Sequence, residues 1–191
     1  MSAQALPEPS PLRLFFALWP DAGVRETLGR LVRPLRRTVK GRWVEPDKLH
    51  LTLAFLGAVP PERLPELTAM TEDLDLPPFE LALDRLEYWQ RNRVLCLGAS
   101  ATPPLLIELV GILNSKLGRA GFPVERRPFR PHLTLARKAE AAWSAMPLKT
   151  SVTWPVDRVT LVESRLSRAG PLYLVRAEKQ WRAMPEMAAM K

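Results

Sequence analysis

Two pentapeptides hold the residues best suited to chemistry in this chain. Residues 50–54 read His50-Leu51-Thr52-Leu53-Ala54, and residues 132–136 read His132-Leu133-Thr134-Leu135-Ala136, the same five letters 82 positions apart. The 191 residues include only two histidines, and each heads one copy. An imidazole with its ordinary pKa near ~6.5 serves as either base or acid around neutral pH, so a pair can remove one proton while delivering another. In-line displacement at phosphorus asks for this, with a proton taken from attacking water and one given to a departing alkoxide. A threonine hydroxyl beside each imidazole can hold a non-bridging phosphate oxygen and orient the ester.

The element that must present these groups is a strand. Alternation of apolar and polar residues puts each histidine on the face of its own threonine, while Leu51, Leu53, Leu133 and Leu135 take the opposite face and anchor the strand in a core. Two such strands facing each other surround one small site with two imidazoles and two hydroxyls. A single histidine in an alternating strand is commonly a half-buried structural residue. Two identical settings that use every histidine in the chain point to function instead.

A duplicated His-x-Thr-x motif on apolar strands resembles the signature of the 2H phosphoesterase superfamily. The flanks narrow the likeness: Arg13-Leu14-Phe15-Phe16-Ala17-Leu18-Trp19-Pro20, Trp43-Val44-Glu45-Pro46, Leu56-Gly57, Phe129-Arg130-Pro131, Leu161-Val162-Glu163-Ser164-Arg165-Leu166-Ser167 and Tyr173. From about Arg13 to about Arg176 the chain is similar to the RNA 2′,3′-cyclic phosphodiesterases, formerly called 2′-5′ RNA ligases. The resemblance implies an α+β, bilobal fold: two antiparallel sheets with flanking helices, related by a pseudo-two-fold axis, with the active cleft between them. It also implies hydrolysis of RNA 2′,3′-cyclic phosphate ends to 2′-phosphomonoesters, without a metal. In that scheme one motif histidine protonates the departing 3′ oxygen and the other activates water; we place His50 as the acid and His132 as the base, with Thr52 and Thr134 on phosphate oxygens.

Two more positions carry over by offset. Five residues after each histidine stand Phe55 and Arg137, where relatives use an aromatic against the terminal base and an arginine on the phosphate. Strict alternation puts an odd offset on the leucine face, so the carry-over requires each strand to end or bulge first, and a core role for Phe55 stays open. Arg130 is a second phosphate candidate, with simple solvent exposure as its alternative. Where relatives often have tryptophan in the Val-Leu-x-Leu-Gly stretch, this chain has Cys96. Alternative activities are 2′-5′ RNA ligation, hydrolysis of another cyclic or 2′-5′ phosphodiester, and non-catalytic RNA-end binding.

The bulk composition suits either a polyanionic partner or a basic solvated surface with no specific partner. With 28 basic and 20 acidic residues the net charge is +8 and the pI about 10.2, which concentrates phosphates near the surface. The expected partner is an RNA end or short oligonucleotide with a cyclic phosphate; no membrane and no obligate protein partner is expected, and the chain reads as a monomer. Cys96 lies in an apolar run and reads as a core residue. The apolar run from Leu14 to Trp19 is too short for a signal peptide and nothing approaches a membrane span, so a cytoplasmic location is expected. Phosphate-loop, dinucleotide, nucleophile-elbow and His-Glu-x-x-His motifs are absent. Two histidines and one cysteine leave little for a transition-metal site, although carboxylates can hold magnesium, and no cofactor is expected.

The elements follow from this pattern. Residues 1–11, with Pro7, Pro9 and Pro11, read as a disordered lead; residues 12–177 as one bilobal domain; residues 178–191 as a tail. Strands are expected at 12–19, 49–56, 79–89, 93–98, 132–137, 152–163 and 172–176, with a short strand and then a turn within 41–46. Helices are expected at 21–38, capped by Asp21, at 60–72 and at 103–119. Residues 138–146 read as a polar helix or loop, and 164–170 as a loop.

Overall fold

The computed structural model describes residues 10–168 and 170–182. Nearly all of the expected N-terminal lead, residues 1–9, and residues 183–191 of the expected tail lie outside them. Among the described residues nine strands and three α-helices run in the order β1 (Leu12–Leu18), α1 (Ala22–Thr38), β2 (Lys40–Trp43), β3 (Leu51–Val59), α2 (Leu64–Glu72), β4 (Phe79–Trp89), β5 (Val94–Gly98), α3 (Pro104–Arg119), β6 (His132–Glu140), β7 (Ala145–Val156), β8 (Arg158–Ser167) and β9 (Gly170–Gln180). Helix α1 starts where the sequence sets its cap, Asp21 Oδ1 accepting from the Val24 amide at 2.8 Å, and it buries Val24, Leu28 and Val32.

The strands form one antiparallel array ordered β7-β4-β5-β6-β3-β1-β8-β9, with β2 also paired to β6. Its midpoint is a single residue pair, Leu51 opposite Leu133. The expected two sheets are thus two halves joined at one bridge, β7-β4-β5-β6 and β3-β1-β8-β9. Each half runs motif strand, partner, next strand, edge. Leu51 and Leu133 hold the same place in the two pentapeptides, so the pseudo-two-fold axis passes between them, as at an isologous contact. The antiparallel direction puts His50 and Thr134 on one side of that pair and Thr52 and His132 on the other. Beyond this bridge β3 and β6 part, and β2 takes the freed edge of β6, Arg42 opposite Arg137 and Trp43 opposite Ala136.

The main core lies on the leucine side of the array, under α1, α2 and α3, and includes Leu51, Leu53, Leu133, Leu135, Leu106, Leu109 and Leu113. A small second cluster, Phe15, Ala17 and Val162 with Trp19 and Tyr173 packed against it, occupies the other face of β1 and β8.

Several boundaries differ from the sequence reading. Residues 138–140 continue β6 because they pair with β2, Lys40 opposite Glu140, and β7 begins at Ala145, opposite Glu87. The expected strand 152–163 breaks at Asp157 into β7 and β8, and the expected loop 164–170 is largely strand, with β8 paired to β9 through Ser167. Strand β9 runs past residue 177 to Gln180, and Trp181 follows it, 3% exposed, its indole N–H donating to the Leu74 carbonyl at 2.8 Å. No helix among the described residues is long and apolar enough to cross a membrane.

Candidate active site

His50, Thr52, His132, Thr134 and Arg137 line one cleft of about 890 Å³. Both imidazoles are held the same way. His50 Nδ1 lies 2.8 Å from the Lys48 carbonyl oxygen and His132 Nδ1 lies 2.9 Å from the Arg130 carbonyl oxygen, two residues back in each case. A carbonyl only accepts, so each Nδ1 carries the proton and each neutral ring keeps its lone pair on Nε2. That repeated bond fixes tautomer and ring direction together.

Aromatic rings wall both imidazoles. Trp19 stacks on His50 at 4.7 Å between centroids, with Phe15 at 5.1 Å and Tyr173 edge-on at 5.2 Å; Trp89 lies 4.5 Å from His132. Burial therefore pushes both histidines below their ordinary pKa, the carbonyl bonds opposing it, and the Arg137 guanidinium lowers both further. The charges around the two differ, and Arg130 lowers His132 alone. His132 has a carboxylate near it, Glu87, which raises its proton affinity, while His50 feels His132 as an additional depressing charge.

Glu87 is the residue that the sequence reading missed. It sits on β4, 4% exposed, and its Oε2 accepts from the Trp89 indole at 3.0 Å and pairs with Arg130 at 2.8 Å. Trp89 packs on His132, and the Arg130 backbone carbonyl holds that ring's Nδ1. One buried carboxylate thus secures both groups that orient His132. Arg130, read as a phosphate candidate, is 64% exposed at its side chain and lies outside the residues lining the cleft.

The two offset positions are brought out by bulges. Phe16 pairs with Ala54 and Ala17 with Thr52, so Leu53 is the extra residue; Leu95 pairs with Ala136 and Cys96 with Thr134, so Leu135 is its counterpart. An extra residue reverses the alternation beyond it. Phe55 is accordingly 50% exposed, not a core residue, and Arg137 is exposed in the cleft wall. Phe55 lines a second groove of about 780 Å³ with Arg127, Phe129 and Arg130, continuous with the cleft through Thr52, Trp89, Asn92 and His132. The Arg13 guanidinium covers one face of the Phe55 ring at 4.6 Å.

Tyr173, one of the flanking residues of the sequence likeness, closes the cleft beside His50, on the hairpin that also carries Arg168. Glu163 anchors that hairpin, accepting from Arg165 at 2.5 Å and from Arg176. Cys96 is buried, its thiol pushed up to about 12, which suits a core residue and not a nucleophile. Among the described residues, no group of three or more His, Cys, Asp or Glu is placed to hold a metal ion.

The duplication is also visible in comparison with known families. The profile described as "LigT like Phosphoesterase" matches residues 18–96 and again 97–173, one match around each motif. This chain belongs to the LigT-like phosphoesterase family. Its LigT-like halves meet inside β5, so the half-sheet β7-β4-β5-β6 draws strands from both copies. The chain is 37% identical over 163 residues to the RNA 2′,3′-cyclic phosphodiesterase of Escherichia coli (strain K12), covering 85% of this chain and 93% of that protein. It is 34% identical over 173 residues to the protein of the same name from Thermus thermophilus, covering 86% and 87%. Among solved structures, E. coli LigT in apo form superposes with a TM-score of 0.81 at 35% identity, over 91% of this chain and 99% of that one. E. coli LigT complexed with 3′-AMP gives 0.81 at 36% identity, over 90% and 98%.

Proposed function

We propose that this protein hydrolyses RNA 2′,3′-cyclic phosphate ends to 2′-phosphomonoesters by two-histidine acid and base catalysis. The observation that carries this reading is the pair of tautomer-fixed imidazoles, each held at Nδ1 by a carbonyl two residues back, in one cleft with two threonines and an arginine. The names of the relatives agree with it.

His132 takes the proton from water. Glu87 raises its proton affinity and stabilises the imidazolium that forms, which suits a base. His50 gives a proton to the departing 3′ oxygen; the substrate's negative charge in the cleft favours its charged form. Thr52 and Thr134 donate hydrogen bonds to the non-bridging oxygens and Arg137 neutralises the phosphoryl charge that grows in the transition state. Phe55 stacks on the terminal base across the second groove, with Arg13 backing the ring, and Arg130 serves the site mainly by pairing with Glu87. The required partner in this account is an RNA end, acted on by a monomer in the cytoplasm, with no metal or cofactor. The test is turnover, in EDTA, of an RNA oligomer ending in a 2′,3′-cyclic phosphate. Formation of a 2′-phosphate supports the reading; a 3′-phosphate product, or binding without turnover, overturns it.

A further inference from the structure

The catalytic cleft holds more positive charge than one phosphate calls for. Arg42 stands directly opposite Arg137 across the β2–β6 pair, and both line the cleft with Lys48 and Arg168. Directly opposed like charges on neighbouring strands are destabilising. Glu45, which also lines the cleft, pairs with Arg36 at 3.5 Å, and Glu140 pairs with Arg93 at 2.6 Å. Among the described residues no ion pair involves Arg42, Arg137, Lys48 or Arg168. A cyclic phosphodiester carries one negative charge and the monoester it yields carries at most about two. Four cations leave room for another anion.

The two opposed arginines are not equivalent. The Arg137 charge depresses both histidines, so it acts at the reacting centre, whereas Arg42 is not among the charges that act on either ring. Arg137 shares β6 with His132, whereas Arg42 stands one strand farther out, on β2, so Arg42 serves a ligand group displaced from the scissile phosphorus.

We propose that Arg42, with Arg168 from the β8–β9 turn, forms a subsite for a second phosphate, the one on the 5′ oxygen of the terminal nucleoside. This rests on the reading that the substrate is an RNA end. A 2′,3′-cyclic phosphate occupies the 3′ terminus, so the chain extends only through that 5′ oxygen. The substrate class is therefore an oligonucleotide or a 5′-phosphorylated nucleotide, in preference to a bare nucleoside cyclic phosphate.

The test compares kcat/KM for adenosine 2′,3′-cyclic phosphate, the same compound with a 5′-phosphate, and the ApA dinucleotide ending in a cyclic phosphate. Wild type is expected to favour both 5′-phosphorylated substrates by about tenfold or more, the usual scale of a charge-assisted contact. That preference shrinks as salt is raised. Arg42→Ala brings the ratios towards one and Arg42→Lys retains part of them, while turnover of the bare compound reports that each variant is folded. Equal values for all three in wild type overturn the subsite alone. So do a preference that survives Arg42→Ala and a preference confined to the dinucleotide, which belongs to the added nucleoside. No turnover of any of the three overturns the functional reading and the subsite with it.

Discussion

Leu53 and Leu135 are each the unpaired extra residue of a β-bulge, three positions beyond His50 and His132. The duplicated strands therefore share a distortion as well as a sequence. The distortion decides what the fifth position does: it carries Phe55 and Arg137 out of the leucine face and towards the cleft and its side groove.

If Phe55 stacks on the terminal base, Phe55→Ala raises KM for RNA ends by about 10- to 100-fold, corresponding to the ~1 to 3 kcal/mol of a base–aromatic stack. With half its surface exposed, the fold loses little, within about 0.5 kcal/mol. Steady-state kinetics beside urea unfolding separate the two. An unchanged KM, or a loss of several kcal/mol, returns Phe55 to a structural role.

The charge on Glu87 should be visible in the pH dependence of turnover. His132 faces Glu87 from β4, Arg130 from the preceding segment and Arg137 from its own strand. Glu87→Gln keeps an acceptor for the Trp89 indole but removes the charge that raises His132, so the acid limb of kcat/KM moves to lower pH and the rate falls about tenfold. An acid limb that stays in place shows that Glu87 acts only in packing.

Some of this was legible in the sequence and some was not. The histidines and threonines stood out because the same pentapeptide occurs twice, and the helices because α1 and α3 carry clear apolar stripes. The bulges leave no mark, since Leu53 and Leu135 fit an ordinary alternation and the shift shows only in the register of their partners. Glu87 looks like the outward residue of an amphipathic strand; it is buried because Trp89 and Arg130 close over it. Residues 138–146 read as polar connection because most side chains of the paired parts, Lys138, Glu140, Ala145 and Met146, stay exposed while the backbone is satisfied by β2 and β4. Trp181 is an apolar residue near the end of a polar stretch, and only the fold reveals the Leu74 carbonyl that receives it.

Trp181 anchors the end of β9 against the core beside Phe79, ring centroids 6.1 Å apart. Trp181→Ala is expected to cost about 3 to 5 kcal/mol, the usual range for a buried Trp or Phe, and to leave the pH profile of turnover unchanged. Denaturant unfolding checks the first and kinetics the second. A loss below about 1 kcal/mol contradicts an anchoring role.

Burial of the two imidazoles also makes stability depend on pH. Folding lowers both pKa values, while the unfolded chain keeps about 6.5. Below that pH the unfolded chain binds protons that the folded chain resists. Stability is complete above about pH 6.5 and declines as pH falls towards 5. Urea unfolding at pH 7.5 and 5.5 should show the decline in wild type and a smaller one in His50→Ala/His132→Ala. Equal declines in the two proteins contradict it.

In the proposed mechanism His50 and His132 work together in opposite protonation states. The most direct measurement is the pH profile of kcat/KM for RNA ending in a 2′,3′-cyclic phosphate, in EDTA, for wild type, His50→Ala and His132→Ala. Because burial lowers both rings, wild type should give a bell with its optimum on the acid side of about pH 6.5. Each substitution should lower the rate by about 10² to 10⁴ and remove one limb, the acid limb with His132→Ala and the alkaline limb with His50→Ala. A variant that keeps both limbs, or wild-type turnover that disappears in EDTA, would contradict the two-histidine mechanism.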